Sequence, residues 1–311
     1  MKILHLPRLS SAQPPLKTGL RRRTLLHALA GALAPGAALA QATKALALVS
    51  EHLLEKREGV AFSRPTEIDN PWLPMKPGMR YNYDGTTVAP DGKLVPHRIV
   101  VHVTDLVKVI DGVATVVSYD QDFSQGELVE AELAFYAQDD AGNVWRFGEY
   151  PEEYENGRVV AAPAWLAGQE GARAGVMMKA EPAVGAPSYS QGYGPAVAWT
   201  DRGQVHQMGQ EVAVGGTRYT DVLVIRETSL AEEGAWQVKY YARGIGNIKV
   251  GYLGESDTSK ETLELTRAEM MTDQELAAVR SRALALERSA YRRSPDLYGR
   301  TAPATPRDPA K

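Results

Sequence analysis

The sequence predicts a mainly β protein: one large curved antiparallel sheet, a half-barrel or open barrel, with short N-terminal and C-terminal helices. Three observations carry this reading. Between residues 79 and 266 apolar and polar residues alternate with a period of two, which puts successive side chains on opposite faces of a strand. Turn dipeptides such as Asp91-Gly92, Asp111-Gly112, Asn156-Gly157 and Gly215-Gly216 break the alternation at short intervals, as hairpins require. A helical stripe of period 3.6 is confined to the two flanks of this region. Strands so closely spaced pair antiparallel, because parallel neighbours need a crossover of about a dozen residues or more.

Taken in order, residues 1–40 read as a cleaved export signal. Arg21, Arg22 and Arg23 precede an apolar run over 25–39, and Ala38-Leu39-Ala40 supplies the small-residue cleavage tripeptide, with the cut between Ala40 and Gln41. The run is diluted by Gly31, Pro35 and Gly36, whereas a membrane-spanning helix needs about 20 predominantly apolar residues. The arginine cluster ahead of Thr24-Leu25-Leu26 resembles a twin-arginine signal, with general secretion as the alternative route. No Cys follows the tripeptide, so a lipid anchor is excluded, and the expected location is periplasmic or secreted.

Residues 41–64 hold an N-terminal helix over 43–58 and a linker, with Leu46, Val49, Leu53 and Leu54 at helical intervals. The β domain spans 65–268. It opens with a lead-in, 65–78, whose four prolines forbid regular structure. Strands are then expected at 79–83, 98–103, 113–119, 129–138, 143–149, 158–162, 188–193, 204–214, 221–228, 236–242, 245–252 and 258–266. Thr272-Asp273-Gln274-Glu275 is a capping-box pattern that starts a helix in the segment 269–293. Its stripe is Leu276, Val279, Ala283 and Leu286. The proline-rich tail, 294–311, reads as disordered.

Composition removes several function classes. There are no cysteines, so thiol catalysis, iron-sulfur clusters and thiolate zinc sites are out. With 35 basic against 38 acidic residues the chain has a net charge of −3, and it loses further positive charge with its signal. A nucleic-acid partner needs a basic face and is not expected. No second apolar run of spanning length follows the signal, so no stable membrane span is expected after processing. The histidines beyond residue 40, at 52, 97, 102 and 206, are too scattered for a metal site, and His97 and His102 fall on opposite faces of one strand. A Gly-x-Ser-x-Gly elbow and a phosphate-binding glycine loop are both missing, so no catalytic residue and no cofactor is assigned.

The most distinctive stretch runs from Tyr136-Ala137-Gln138-Asp139 through Gly142-Asn143-Val144-Trp145 to Phe147-Gly148-Glu149. It is a hairpin: an aromatic strand, an Asp/Gly turn and a second strand. Asp139, Asp140 and Asn143 lack the alternating acids and distal Glu of an EF-hand-type calcium loop, which favours a plain turn. The stretch resembles a YAQD-x-x-GNVW-x-FGE motif of uncharacterised secreted bacterial proteins. The likeness extends to Asn70-Pro71-Trp72-Leu73-Pro74, Gly126-Glu127-Leu128-Val129-Glu130, Gly175-Val176-Met177-Met178 and Lys239-Tyr240-Tyr241-Ala242-Arg243-Gly244. The last of these also looks like the closing strands of half-barrel envelope proteins related to lipoprotein carriers. That resemblance implies a curved sheet around an apolar concavity. Ala134-Phe135 stands where the family has Asp-Trp, so no catalytic carboxylate is carried over to this position.

Tyr136, Trp145, Phe147, Trp165, Met177 and Tyr240, together with Met178 and Tyr241, lie within or beside these motifs. In a curved sheet such residues either fill the core or line a cavity, and the leading reading is an exported, non-enzymatic protein that binds an apolar or amphiphilic small molecule or an envelope partner in its concave face. Two further readings stay open. One is an envelope hydrolase using two of the acids Glu127, Glu130, Glu132, Glu149, Glu152 and Glu153, which a solvated β face also explains. The other is an assembly protein that docks an envelope partner through a terminal helix. The export reading makes the first prediction: mass spectrometry of the protein from its native host finds an N-terminus at or within a few residues of Gln41, and an intact Met1 in the periplasmic fraction contradicts it.

Overall fold

The computed structural model describes residues 53–89, 91–229, 234–254 and 257–307. The signal, the Ala40-Gln41 junction and most of the predicted helix over 43–58 lie outside the described residues; the described part of that segment, 53–58, holds no α-helical turn.

The alternation becomes strands β1 (Met79–Val88), β2 (Leu94–Ile110), β3 (Val113–Ser124), β4 (Glu127–Gln138), β5 (Val144–Glu155) and β6 (Arg158–Ala161). Short pieces follow: β7 (Trp165–Leu166), β8 (Gly175–Met178) and β9 (Tyr189–Ser190). A second run comprises β10 (Asp201–Val214), β11 (Thr217–Ser229), β12 (Trp236–Ala242), β13 (Gly246–Leu253) and β14 (Thr262–Met270). Each strand expected from the sequence is present. Most are longer than expected, because β2, β3 and β5 continue through polar residues that turn out to have partners inside the protein. The hairpin dipeptides behave as their chemistry requires: Asn156 and Gly157 have φ of 52° and 71°, and Gly215 and Gly216 have 55° and 82°, the doubly positive pattern of a tight β-turn.

All pairing is antiparallel, in one open sheet of order β6-β5-β4-β3-β2-β1-β14-β13-β12-β11-β10-β9. Two meanders, β1 to β6 and β9 to β14, are joined where the last long strand returns to the first, in register from Met79 opposite Met270 to Thr86 opposite Thr262. The sheet curls strongly. The Arg146 guanidinium on β5 lies 4.8 Å from the ring of Trp199, just before β10, although eight strands separate β5 from β10 along the sheet.

Curling gives the sheet two cores. Outside, helix α1 (Asp273–Arg293) lays Val279, Ala283, Leu286 and Ala290 against Leu133, Phe135, Phe147 and Tyr150. Its start is the predicted capping box, with the Glu275 amide donating to the Thr272 hydroxyl and the Thr272 amide donating to the Glu275 carboxylate. Inside, Tyr83, Ile99, Val103, Ile225, Val250 and Leu263 face one another across the curl, and the lead-in places Ile68, Trp72 and Met75 on the same cluster. Gly148 is positioned by this architecture: at φ 148° a Cβ would sit 2.4 Å from the Trp165 carbonyl oxygen, so only glycine lets β7 pair with β5 there.

The tail departs from expectation. The segment read as disordered instead forms a short helix, α2 (Pro295–Tyr298), and a strand, β15 (Thr305–Pro306), paired to β2. What fixes it is a buried lysine. Lys108, fully buried on β2, donates to Glu287 on α1 at 2.8 Å and to the Ala302 carbonyl at 2.8 Å. The Ala304 amide in turn donates to Glu287 at 3.0 Å. The rings of Tyr291 and Tyr298 lie 5.3 and 5.0 Å from the ammonium. Proline content predicts disorder only when nothing repays the entropy of ordering, and a buried charge needing ligands does repay it.

Removing one partner of this pair strands the other in the core. Glu287→Ala is expected to lower unfolding free energy by about 3–5 kcal/mol in urea titration, with most of the loss recovered in a Lys108→Met, Glu287→Met double variant. Equal losses in the single and double variants contradict the account.

Candidate functional site

Strand parity decides which side chains enter the concavity. On β1, Tyr81 and Tyr83 point inward, and their registered neighbours on β2 are Val101 and Ile99. The next strand continues the row, with Asp120 opposite Val101 and Ser118 opposite Val103. From the other meander come Lys239 and Tyr241 of β12, with Val250 and Asn247 of β13 opposite them. Together they surround a cavity of about 120 Å³, roughly eight to twelve times what one water molecule needs. Leu73, Pro74 and Met75 of the lead-in and the Ile245-Gly246 hairpin close over one part of it. Gly244 and Gly246 there adopt φ of 74° and 102°, which makes this tight hairpin geometry available.

The cavity wall combines apolar and aromatic side chains with Ser118, Asp120, Lys239, Asn247 and Glu261. Polar groups lie on the inner face because the curl leaves them nowhere else to go, and they are matched to one another. His97 Nε2 lies 2.7 Å from Asp122 Oδ1, and its Nδ1 lies 3.0 Å from Glu261 Oε1. Gln237 donates to Glu261 at 2.6 Å. Lys239 pairs with Glu227 at 2.5 Å, and Gln191 donates to the other oxygen of that carboxylate at 2.7 Å. Arg146 ion-pairs with both Glu132 and Glu149. Asp120 stands apart: Ser118 donates to it at 2.6 Å, and among the described residues no cationic side chain ion-pairs with it.

Burial and charge set the protonation of these groups. Asp120, 9% exposed, is pushed up to about 7 by loss of water and by Glu132 directly across the strand pair, a like-charge cross-strand contact. Glu149 is raised well above the usual carboxylate range by burial, with Arg146 opposing and Glu132 reinforcing the shift. Burial works against charge on His97, but hydrogen bonds and attraction from Asp122 and Glu261 outweigh it and hold the imidazolium up to about 9. His102, on the opposite face of β2, is pushed down to about 4 by burial, against its bond to the Tyr119 carbonyl.

Of the residues singled out from the sequence, Tyr136 and Met177 line the cavity. Trp145 and Phe147 lie in the outer core, edge-on to Phe62 at 6.1 and 5.6 Å. Trp165 packs on Trp199 at 5.5 Å, in a small cluster of its own. Tyr240 is half-buried at the margin of the inner core, while its neighbour Tyr241 faces the cavity. Sequence reasoning missed Tyr81, Tyr83, Asp120, Lys239 and Asn247. The available signals were the Tyr81-x-Tyr83 alternation and a lysine, Lys239, between apolar neighbours.

The acids of the 127–153 stretch are not a solvated face. Glu130, Glu132, Glu149 and Glu152 are buried, because their strands have protein on both sides, and Glu127 is exposed at the start of β4. None of the six lines the cavity. The Asp139 carboxylate accepts from the Asn143 amide, the Asn143 side chain and Trp145 Nε1, all at 2.8 Å, and Asp140 accepts from Ser63. These oxygens tie a turn together. No group of three or more His, Asp or Glu arranged to hold a metal occurs among the described residues.

No family model matches the chain, and no curated protein matches it. Solved structures do. An exported-protein candidate with a YmcC-like fold from Bacteroides fragilis aligns at 14% identity with a TM-score of 0.38, over 64% of this chain and 98% of its own. A lipoprotein candidate from Parabacteroides distasonis aligns at 9% identity with a TM-score of 0.34, over 65% of this chain and the whole of its own.

The His97 cluster has a pH signature. A histidine raised from 6.5 to about 9 contributes stability that is complete below its unfolded value and is lost as pH rises through the folded value. Denaturation measured across that window is expected to show unfolding free energy falling by up to about 1.4 kcal/mol per pH unit for the one proton involved. In His97→Gln the alkaline slope shrinks by that proton. An unchanged slope in the variant contradicts the assignment.

Proposed function

We propose that the protein is an exported binding protein that holds an amphiphilic small molecule in the concavity of its curled sheet. The observation that carries this is the cavity itself. A pocket of about 120 Å³ stands unfilled among the inward side chains, where a core designed only for stability is packed to crystal-like density. Its lining combines what a ligand site needs: apolar and aromatic surface from Met75, Tyr81, Val101 and Leu263, with a few convergent polar groups at Ser118, Asp120 and Asn247. Methionines at two wall positions, Met75 and Met177, suit a ligand of adaptable shape. Export is supported by the N-terminal zones of the sequence, which match a signal that is removed.

The hydrolase reading has less support, since the acids that line the cavity are Asp120 and Glu261, and Glu261 is already engaged by His97 and Gln237.

Filling the cavity tests the binding reading. Val101→Phe is expected to weaken binding of the neutral apolar fluorophore N-phenyl-1-naphthylamine by about tenfold or more, while changing unfolding free energy by no more than the roughly 1–3 kcal/mol of overpacking. Fluorophore binding equal to that of the unaltered protein overturns the reading.

A further inference from the structure

Charge bookkeeping inside the curl carries the functional reading one step further, to the chemistry of the ligand's polar end. Among the described residues three cations face the interior, and each is already engaged: His97 by Asp122 and Glu261, Arg146 by Glu132 and Glu149, Lys239 by Glu227. The surplus is acidic, and its one member in the cavity wall without a cationic partner is Asp120. An anionic headgroup entering here would meet no free cation. Around the same carboxylate the wall is built of tyrosines: Tyr81, Tyr83, Tyr136 and Tyr241 all border the cavity. Tyr83 donates its hydroxyl to the Asn247 carbonyl at 3.0 Å, which fixes one ring in place. The Asn247 side-chain amide is buried with neither its nitrogen nor its oxygen partnered, leaving a donor and an acceptor for a polar ligand atom.

We infer that the cavity selects an organic cation, an alkylammonium amphiphile whose headgroup sits among Tyr81, Tyr83 and Tyr241, since the Tyr136 ring already carries the Arg146 guanidinium, with Asp120 as its counter-ion. A carboxylate within a set of aromatic faces is the arrangement that recognises ammonium groups, through ion pairing and the negative face of each ring. This inference rests on the cavity being a ligand site at all. Protonation supports it: the Asp120 carboxyl is pushed up to about 7 by burial and by Glu132, the behaviour of a buried acid lacking its cation. The charged groups acting on Asp120 are Glu132 from β4 and Arg146 from β5, with Ser118 hydrogen-bonded to it on its own strand. Lys239 and Glu261 also border the cavity, each held by its own partner.

Calorimetric titration of the full chain with three probes of equal tail length separates the possibilities: hexyltrimethylammonium, hexan-1-ol and hexyl sulfate. At about pH 8 the ammonium is expected to bind about tenfold or more tighter than the alcohol, and the sulfate more weakly than the alcohol. Asp120→Asn is expected to bring ammonium and alcohol to within about twofold of each other, and Tyr81→Leu to reduce the same preference. Lowering the pH to about 6 weakens the ammonium and not the alcohol, because the counter-ion is then protonated. Alcohol or sulfate binding as tightly as the ammonium overturns the cation inference and leaves the cavity reading intact. Failure of all three probes to bind overturns both.

Discussion

The pairing of β14 with β1 is the constraint on which the rest of this protein depends. Each meander alone is an ordinary run of hairpins with both edges free. Joining them edge to edge makes a single sheet, and a sheet of this many twisted strands curls unless something flattens it. The curl brings β5 to the neighbourhood of Trp199 and β10, so that Arg146 stacks there. Every inward-facing residue of both meanders then shares one enclosed interior. The joint is made by eight registered residue pairs with one bulge, between Asn82 and Tyr83.

Enclosure turns an alternating strand into a problem of electrostatics. In a sheet with one wet face the polar residues of each strand need no partner. Here Asp120, Asp122, Glu132, His97 and Lys239 are taken out of water, and each burial has to be offset by an opposite charge or a donor. The ion pairs along the inner face are the outcome: a set of local matches across registered strands, with charge left over at one place. That place coincides with the cavity, which Tyr81, Tyr83 and Tyr241 also line. The buried Lys108–Glu287 pair solves the same problem on the outer face, and there the ligands come from α1 and the tail.

The elements were legible in the sequence because their signals are local. Period-two alternation, the Asp-Gly and Asn-Gly turns, and the Thr272–Glu275 box each act within a few residues, and the structure places strands, hairpins and the α1 start where those signals put them. The site was only partly legible because its signal is parity, which depends on which face the whole sheet turns inward. Tyr240 and Tyr241 are adjacent in a recognisable motif, and a one-residue choice between them moves a ring from the margin of the core to the cavity. Trp145 and Phe147 share a strand with Arg146 and face away from it for the same reason. The acids of β4 and β5 read as a wet face because nothing in a strand's own sequence reveals that a second meander covers it. The tail was misread on composition, since Lys108, the residue that orders it, is nearly two hundred positions away in the chain.

The central claim is that the inner face of the curl, and not the helix-covered outer face, holds the ligand. Methyl NMR on the protein saturated with hexyltrimethylammonium tests this most directly. The account predicts intermolecular nuclear Overhauser effects from the alkyl chain to the methyls of Met75, Ile99, Met177 and Leu263, and none to Leu133, Val279 or Leu286 under α1. Effects confined to the outer set, or none to the inner set at saturation, would contradict it.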